Sequence, residues 1–298
     1  MKFIEPTVEW WKQKNIVQHI ARVGRICYKA KGKQPDEKMS EAEKDKFIHE
    51  RDKARCKGFW DSGHRSMYRH GTCYFFISSD RGLPNYLWAH LSSSPFVEYV
   101  SKNHKVWIST NAQFLGEHSH LFHLLQKYAI SEADFIEKIK KYDCEDAYWL
   151  LRMTFVVTTQ ISTSRELNRT SPNSIAEQST RYCNLENKGG VQIARPHWYF
   201  SRSRWQKFVY RMVCRVSEWG YNRLLKSGLK PEDARGVLPL DTYTVVAYTY
   251  SLAEWKNILN LRYHAATGTP HPNAYCIAER IRNMILMRMR QHQSDFDI

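Results

Sequence analysis

The spacing of apolar residues near the start of the chain is that of an amphipathic helix. Four of them are separated by four, three and four residues: Ile16, Ile20, Val23 and Cys27. They therefore fall on one face of a helix with about 3.6 residues per turn. We predict that this helix packs against the core.

Residues 29–57, which follow this helix, are almost all polar or charged. Within them, Ser40 and Glu43 have the spacing of a capping box, which predicts the start of a short exposed helix. We interpret the stretch as a charged surface insertion. A binding element is the alternative.

Runs of β-branched and aromatic residues predict strands further along the chain. The predicted strands are 72–77, 153–159 and 242–250, with a weaker one at 191–194. The segment 83–151 is predicted to be mostly helical and to form a second insertion. Amphipathic spacing predicts later helices at 203–225, 251–262 and 273–290.

The chain shows no sign of division into separate units. No sequence period of about 20 to 50 residues recurs, and no Gly/Ser-rich linker interrupts the 298 residues. Hydrophobic residues make up 42% and charged residues 25%, which is typical of a folded protein. We predict a single α/β domain over residues 1–298, of the α+β type, with the two insertions.

The composition also limits the partners and the compartment. The 45 Lys and Arg exceed the 30 Asp and Glu, giving a net charge of +15, which favours anionic partners. The seven cysteines are scattered and form no C-x-x-C pair, so neither a disulfide framework nor a metal site is indicated. Neither a secretory leader nor a bilayer span is apparent, so we expect a cytoplasmic protein without membrane contact.

The segment 162–184 is unusually polar for one that directly follows an apolar strand. It contains Arg165, Arg169 and Arg181 together with several hydroxyl side chains. Such a segment is either a solvated excursion or a binding loop. The binding interpretation has a physical basis, because guanidinium and hydroxyl groups supply the donors and positive charge that a phosphate requires.

Two further arginines stand out by their positions. Arg262 continues the apolar stripe of Trp255, Ile258 and Leu259 on a predicted helix, so it either reaches solvent or is buried against an anion. Arg235 ends a polar turn before an apolar run, where a surface salt bridge is the alternative to a binding role.

The sequences of these segments, taken together, resemble those of the flavin-dependent thymidylate synthases. The family signature is Arg-His-Arg, two variable residues, Ser, one variable, Asn-Glu, one variable, Ser, one variable, Arg-Tyr. This chain matches its frame at Arg169, Ser174, Glu177, Ser179, Arg181 and Tyr182. Further stretches resemble family elements in the expected order: 25–29, 63–70, 234–240, 260–262 and 270–272.

The resemblance implies a fold with a central, mainly antiparallel sheet flanked by helices. It also implies a homotetramer with active sites shared between subunits. The expected substrate is dUMP or a related pyrimidine nucleotide, and the expected cofactor is FAD. Methylenetetrahydrofolate would donate the carbon and NADPH would reduce the flavin, giving dTMP.

The resemblance also assigns residues to roles. Those implied to bind the nucleotide are Glu166, Arg169, Glu177, Gln178, Ser179, Thr180, Arg181 and Arg235. Those implied to contact the cofactor are Ser66, Arg169, Thr170, Ser171, Asn257, Leu261 and His271. Arg262 and Ser179 are the catalytic candidates. Arg262 would polarise the pyrimidine, whereas no base that would activate the Ser179 hydroxyl is apparent.

The chain departs from the family pattern mainly at flavin positions. Thr170 and Ser171 replace His and the second Arg, Ala176 replaces Asn, and Arg69 replaces a Glu. Arg165 or Arg69 could supply the missing contacts. The chain is therefore a divergent working synthase, an enzyme with the same nucleotide pocket and a different pyrimidine-nucleotide reaction, or a non-catalytic nucleotide or nucleic-acid binder.

The nucleic-acid alternative rests on the positive charge and on 10 Trp and 17 Tyr, since bases stack on aromatic side chains in basic grooves. It is not favoured, because these aromatics lie mostly in strand and helix stripes, where core packing is the commoner use.

Overall fold

The computed structural model describes residues 1–30, 32–78 and 85–298. Its strands are β1 (Lys2–Ile4), β2 (Thr7–Trp10), β3 (Thr72–Ser78), β4 (Glu98–Lys102), β5 (Lys105–Asn111), β6 (Ala129–Ile130), β7 (Arg152–Gln160), β8 (Ile175–Glu177), β9 (Gln192–Ala194) and β10 (Tyr243–Ser251). The predictions for 29–57 and 83–151 include residues 31, 83 and 84, which lie outside the described residues.

Helices flank these strands. They are α1 (Ile16–Cys27), α2 (Glu41–Asp61), α3 (Asn85–Ser93), α4 (Ala112–Glu117), α5 (Ser119–Leu125), α6 (Glu132–Lys141), α7 (Ile161–Leu167), α8 (Arg204–Lys226), α9 (Pro231–Ala234), α10 (Leu252–Arg262) and α11 (Pro272–Met289). Short 3-10 helices include Arg65–His70, Glu145–Leu150 and Arg235–Val237. No helix within the described ranges is long and apolar enough to cross a membrane.

The first sheet has the strand order β2-β7-β10-β8 and is antiparallel throughout. The long central strands β7 and β10 pair from Tyr243 opposite Gln160 to Ser251 opposite Arg152. Nearly all their residues are buried, as expected for strands covered on both faces. Both strands were predicted from sequence, and the predictions are confirmed.

The second sheet has the order β4-β5-β3-β6 and is also antiparallel. The prediction for its strand β3 is confirmed, whereas the mostly helical prediction for 83–151 is wrong at β4, β5 and β6. β5 (KVWISTN) is buried along nearly its whole length and shows no polar–apolar alternation that would distinguish it from a buried helical segment. The predicted α/β class, with antiparallel strands flanked by helices, is confirmed. Instead of one central sheet, however, the described residues form two antiparallel sheets and a parallel β1–β9 pair.

Alternating side chains give the first sheet two differently covered faces. On one, which we call the α10 face, Tyr248 packs with Trp255 and Ile281 in the largest core cluster. On the other, the α1 face, Ala247 packs with Ile20 and further residues of α1 and α2. Each face therefore borders a different set of functional candidates.

The charged insertion is more ordered than the sequence indicated. The Ser40–Glu43 capping box is present, and the Ile16–Cys27 helix forms as predicted. The helix after the capping box, however, is 21 residues long and buries Asp52, Cys56 and Phe59. The expectation of a short exposed helix is wrong because these three side chains pack under α1.

Candidate functional site

The polar segment 162–184 folds back along the first sheet. It begins in α7, passes through a loop, adds β8 at the edge of the sheet and then turns outward after Glu177. Ser164, Ser174 and Gln178 are buried. The interpretation as a solvated excursion is therefore wrong for these parts, and the segment places polar groups on both faces of the sheet.

Glu177 is the half-buried acid of this segment. Its Oε1 accepts hydrogen bonds from Ser164 Oγ on α7 and Thr244 Oγ1 on β10, each at 2.9 Å. Burial raises the pKa of Glu177, while the two hydroxyl donors and nearby Arg165 oppose that rise. Ser164 and Thr244 were missed from sequence because a lone hydroxyl in a helix or strand carries no distinguishing pattern.

An exposed cluster of donors lies just beyond Glu177, and we call it the Arg181–Arg235 cluster. Arg181 Nε donates to Glu232 Oε2 at 2.5 Å. Arg235 donates through Nη1 to Thr180 Oγ1 at 3.0 Å and through Nε to the Glu232 carbonyl at 3.1 Å. Two guanidinium groups and a hydroxyl thus converge near the surface, an arrangement that suits a phosphate. The contribution of Glu232 was not apparent from sequence.

Ser179 shapes the turn that carries this cluster. Its Oγ accepts from the backbone N–H groups of Arg181 (3.1 Å) and Tyr182 (3.3 Å), and its own N–H donates to the Cys27 carbonyl at 2.9 Å. Its described hydrogen-bond partners include no base, so the geometry gives this hydroxyl a structural task and no activation as a nucleophile.

Arg262 is half-buried at the end of α10. Its Nε donates to the Glu166 carbonyl at 2.7 Å, and burial, with the nearby Arg169, lowers the pKa of its guanidinium. Arg169 Nη1 donates to the carbonyls of Arg165 (3.2 Å) and Asn168 (3.0 Å). The structure thus brings Glu166, Arg169 and Arg262 together at the end of α7, where carbonyl oxygens hold both guanidinium groups.

The predicted nucleotide residues are divided between the two faces of the sheet. Glu177 points to the α10 face, where α7 connects it to Arg262 through Ser164 and Glu166. Gln178, the next residue, donates its N–H to the Val245 carbonyl at 2.8 Å and lines a cleft on the α1 face. Glu177 and Gln178 therefore do not face one ligand pocket within a single subunit.

The residues at the family's Arg-His-Arg positions do not form an exposed flavin-binding triplet. Thr170 Oγ1 is buried beside the Tyr250 hydroxyl, whose pKa burial raises to about 12. Ser171 is exposed, and Arg169 is bonded to backbone carbonyls. Because Thr170 is turned into the core, this triplet does not fit the cofactor in the way that the resemblance implies.

Arg69 contacts the loop between α7 and β8, which also carries Thr170 and Ser171. Its Nη1 donates to the Asn173 carbonyl at 2.6 Å and its Nε to Gln113 Oε1 at 2.8 Å. Arg69 thus links the loop to α4, the helix that follows β5. Arg69 is therefore engaged within the protein in this structure, although sequence reasoning offered it as a replacement for a missing ligand contact.

The remaining cofactor candidates lie in three different places. Asn257 is exposed and Leu261 half-buried on α10, close in sequence to Arg262. His271 caps α11 by accepting the Asn273 N–H at 3.2 Å, and its ring lies 5.7 Å from that of His197. Ser66 is half-buried in the 3-10 helix Arg65–His70, which packs beside β8. Only the α10 residues share an element with Arg262.

Comparison with known proteins supplies a family. The sequence model of the family described as thymidylate synthase complementing protein matches residues 96–283. No curated protein matches the chain.

Among solved structures, the chain is similar to a UMP/dUMP methylase, PolB, from Streptomyces cacaoi. In the form bound with 5-Br UMP the identity is 24% and the TM-score 0.41, covering 54% of this chain and 81% of that one. In the form bound with 5-Br dUMP the values are 25%, 0.39, 53% and 76%. With both TM-scores below 0.5, this likeness carries no argument about the ligand of the present chain.

Proposed function

The chain belongs to the thymidylate synthase complementing protein family, the flavin-dependent family of thymidylate synthases, and on that premise we propose that it methylates dUMP to dTMP. Methylenetetrahydrofolate would supply the carbon and NADPH the reducing equivalents. The observation that carries the proposal is the exposed Arg181–Arg235 cluster next to half-buried Glu177, since Arg181 and Glu177 retain the family signature and Arg235 lies in a second family-like stretch.

The Arg181–Arg235 cluster supplies the phosphate site in this proposal. Arg181 is held by Glu232 in the structure, and a nucleotide phosphate would take the place of that carboxylate. Arg235 and Thr180 would complete the set of donors, as bidentate guanidinium groups commonly do for phosphates. The Ser179 turn fixes the backbone that presents Thr180 and Arg181.

Arg262 is proposed to act on the base. Its Nε is held by the Glu166 carbonyl, which leaves the outer nitrogens of the guanidinium for a pyrimidine carbonyl. A fixed cation there would stabilise negative charge that develops on the ring as the carbon is transferred. Glu177 would bind the nucleotide near its sugar, with its orientation set by Ser164 and Thr244.

FAD is proposed as the cofactor from family membership, and it would supply the hydride that completes the methyl group. Asn257 and Leu261, on the same helix as Arg262, would contact it, whereas the buried Thr170 hydroxyl does not fit it. This mismatch favours a second candidate, a different pyrimidine-nucleotide modification with altered flavin use. The proposed setting is the cytoplasm.

A homotetramer is proposed on the same basis, and α8 offers a surface for it. One side of this helix exposes large apolar residues at spacings of three or four: Trp205, Phe208, Met212, Val216 and Trp219. A helix face of this kind is usually covered by a partner. Sites shared between subunits would also account for Glu177 and Gln178 facing opposite ways.

The test is dUMP binding by calorimetry, followed by the visible spectrum of the purified protein with added FAD. We expect dUMP to bind, Arg181→Ala and Arg235→Ala to weaken it by about tenfold or more, and the control Arg290→Ala to leave it unchanged. A flavin band perturbed by dUMP supports the synthase. A colourless protein that binds dUMP supports the second candidate, and retention of arbitrary oligonucleotides without dUMP binding contradicts both.

A further inference from the structure

A concave site separate from the Arg181–Arg235 cluster lies on the α1 face of the first sheet. It is a cleft of about 550 Å³ between α1, the start of the charged insertion, α2 and the edge formed by β8 and β10. This volume lies within the range of small-ligand sites. The sequence analysis gave the charged insertion no function, and residues 29–57 also lie outside the part of the chain that the family model matches.

The cleft is lined by basic side chains that exceed the acids beside them. The cations are Arg22, Arg25, Lys29 and Arg51. Arg25 and Arg51 both pair with the buried carboxylate of Asp52, Arg51 at 2.8 Å, so two positive charges share one negative charge. Glu9, which lies near Arg22, is the other acid that acts on these cations. An excess of positive charge is therefore held in a partly desolvated place.

One of these guanidinium groups also carries an N–H group that is unpaired among the described residues. Arg25 Nε is buried and has no hydrogen-bond partner among the described residues. A Cβ at Gly32 would come within 2.8 Å of this nitrogen, so only a glycine lets the loop pass this close to the guanidinium group. Buried polar groups are nearly always bonded. The Gly32 loop covers this nitrogen, so a ligand would contact Arg25 elsewhere on its guanidinium group.

The walls of the cleft are aromatic. Arg22 lies 3.4 Å from the centre of the Trp11 ring system, and Lys29 Nζ lies 5.5 Å from the Tyr243 ring while donating to Gln192 at 3.3 Å. Flat apolar surfaces beside guanidinium and ammonium groups suit a ligand that combines an aromatic ring with a phosphate.

From this combination, we propose that the cleft binds a nucleoside phosphate, with its phosphate against Arg25, Lys29 and Arg51 and its base against Tyr243. The site is distinct from the Arg181–Arg235 cluster. Gln178 lines the cleft, but Glu177 and its partners lie across the sheet. The proposal does not depend on methylation of dUMP.

The experiment measures binding of 2′,5′-ADP to the full chain by calorimetry at fixed ionic strength. Adenosine and inorganic phosphate serve as partial ligands. The test variant is Lys29→Gln/Arg51→Gln, which leaves the Arg25–Asp52 pair in place. The matched control is Lys46→Gln/Lys53→Gln, which removes two exposed charges from α2 outside the cleft. Single Lys29→Gln guards against misfolding of the double variant.

We expect 2′,5′-ADP to bind more tightly than either fragment. The test variant should weaken it by about tenfold or more, Lys29→Gln by a smaller factor, and the control not at all. No binding to the wild type, equal losses in test and control variants, or a loss in Arg181→Ala would each overturn the proposal. Binding of dUMP to the test variant should be unchanged, so failure here is distinguishable from failure of the proposed function.

Discussion

The Glu177 carboxylate holds two hydroxyl groups through a single oxygen, so its hydrogen bonds and its charge can be separated experimentally. Glu177→Gln keeps an oxygen that accepts from Ser164 and Thr244, and it removes a charge that burial already disfavours. Glu177→Ala leaves both hydroxyls without this acceptor. We expect urea unfolding to show little change for Gln and a loss of about 2 kcal/mol for Ala. Equal losses would contradict this account.

Glu232 competes with the proposed phosphate for Arg181. The ion pair is exposed and screened by solvent, so Glu232→Gln should leave the free energy of unfolding nearly unchanged. It should also raise dUMP affinity severalfold, since Arg181 no longer has to leave a carboxylate. Calorimetry on Glu232→Gln beside Glu186→Gln, which removes another surface acid, checks this. A fall in dUMP affinity would show that Glu232 supports the site.

At the scale of elements, a buried acid joins the two antiparallel sheets. Glu98 on β4 accepts from Ser251 Oγ at the end of β10, at 2.8 Å. Burial, assisted by the nearby Glu254 and opposed by Arg152, raises the pKa of Glu98 to about 7. The folded state therefore keeps this proton at pH values where the unfolded chain has lost it.

This shift predicts a pH-dependent stability with a definite sign. The contribution of Glu98 is fully present below about pH 4.5 and is lost as the pH rises to about 7. Glu98→Gln still accepts from Ser251 but carries no charge. The difference in free energy of unfolding between this variant and the wild type should therefore be up to about 3 kcal/mol more in favour of the variant at pH 8 than at pH 4.5. Urea unfolding at both pH values measures this difference. A difference that does not change with pH would mean that folding does not shift the pKa of Glu98.

The strands of the first sheet show what the sequence could and could not predict. β7 and β10 were predictable because long β-branched runs suit strands buried on both faces. β2 and β8 have only four and three residues, and what makes them strands is their pairing with β7 and β10. Such pairing is a tertiary effect, so no local sequence pattern predicts it.

The residues of the candidate site were likewise predictable only in part. The motif frame located Arg169, Glu177 and Arg181, but it treated consecutive residues as members of one pocket. Strand alternation instead turns Glu177 and Gln178 to opposite faces. Partners such as Glu232 come from distant parts of the chain and appear only once the fold brings them together.

For the whole molecule, the exposed apolar side of α8 predicts self-association. Trp205 is 70% exposed, Val216 61% and Trp219 63%. Phe208→Glu/Val216→Glu should leave the fold intact, because these side chains contribute little to the core, and it should reduce the mass measured by light scattering below that of a tetramer. Lys53→Glu, at an exposed position on α2, is the control. A monomeric wild type would contradict the proposed assembly.

The measurement that tests the central claim most directly is product analysis by mass spectrometry. The purified chain is incubated with dUMP, methylenetetrahydrofolate, NADPH and FAD, and compared with Arg262→Ala and the exposed Lys256→Ala on the same helix. The account predicts dTMP from the wild type and Lys256→Ala, and at least about a hundredfold less from Arg262→Ala. Absence of dTMP from a folded wild type that binds both dUMP and FAD, or full activity in Arg262→Ala, would contradict it.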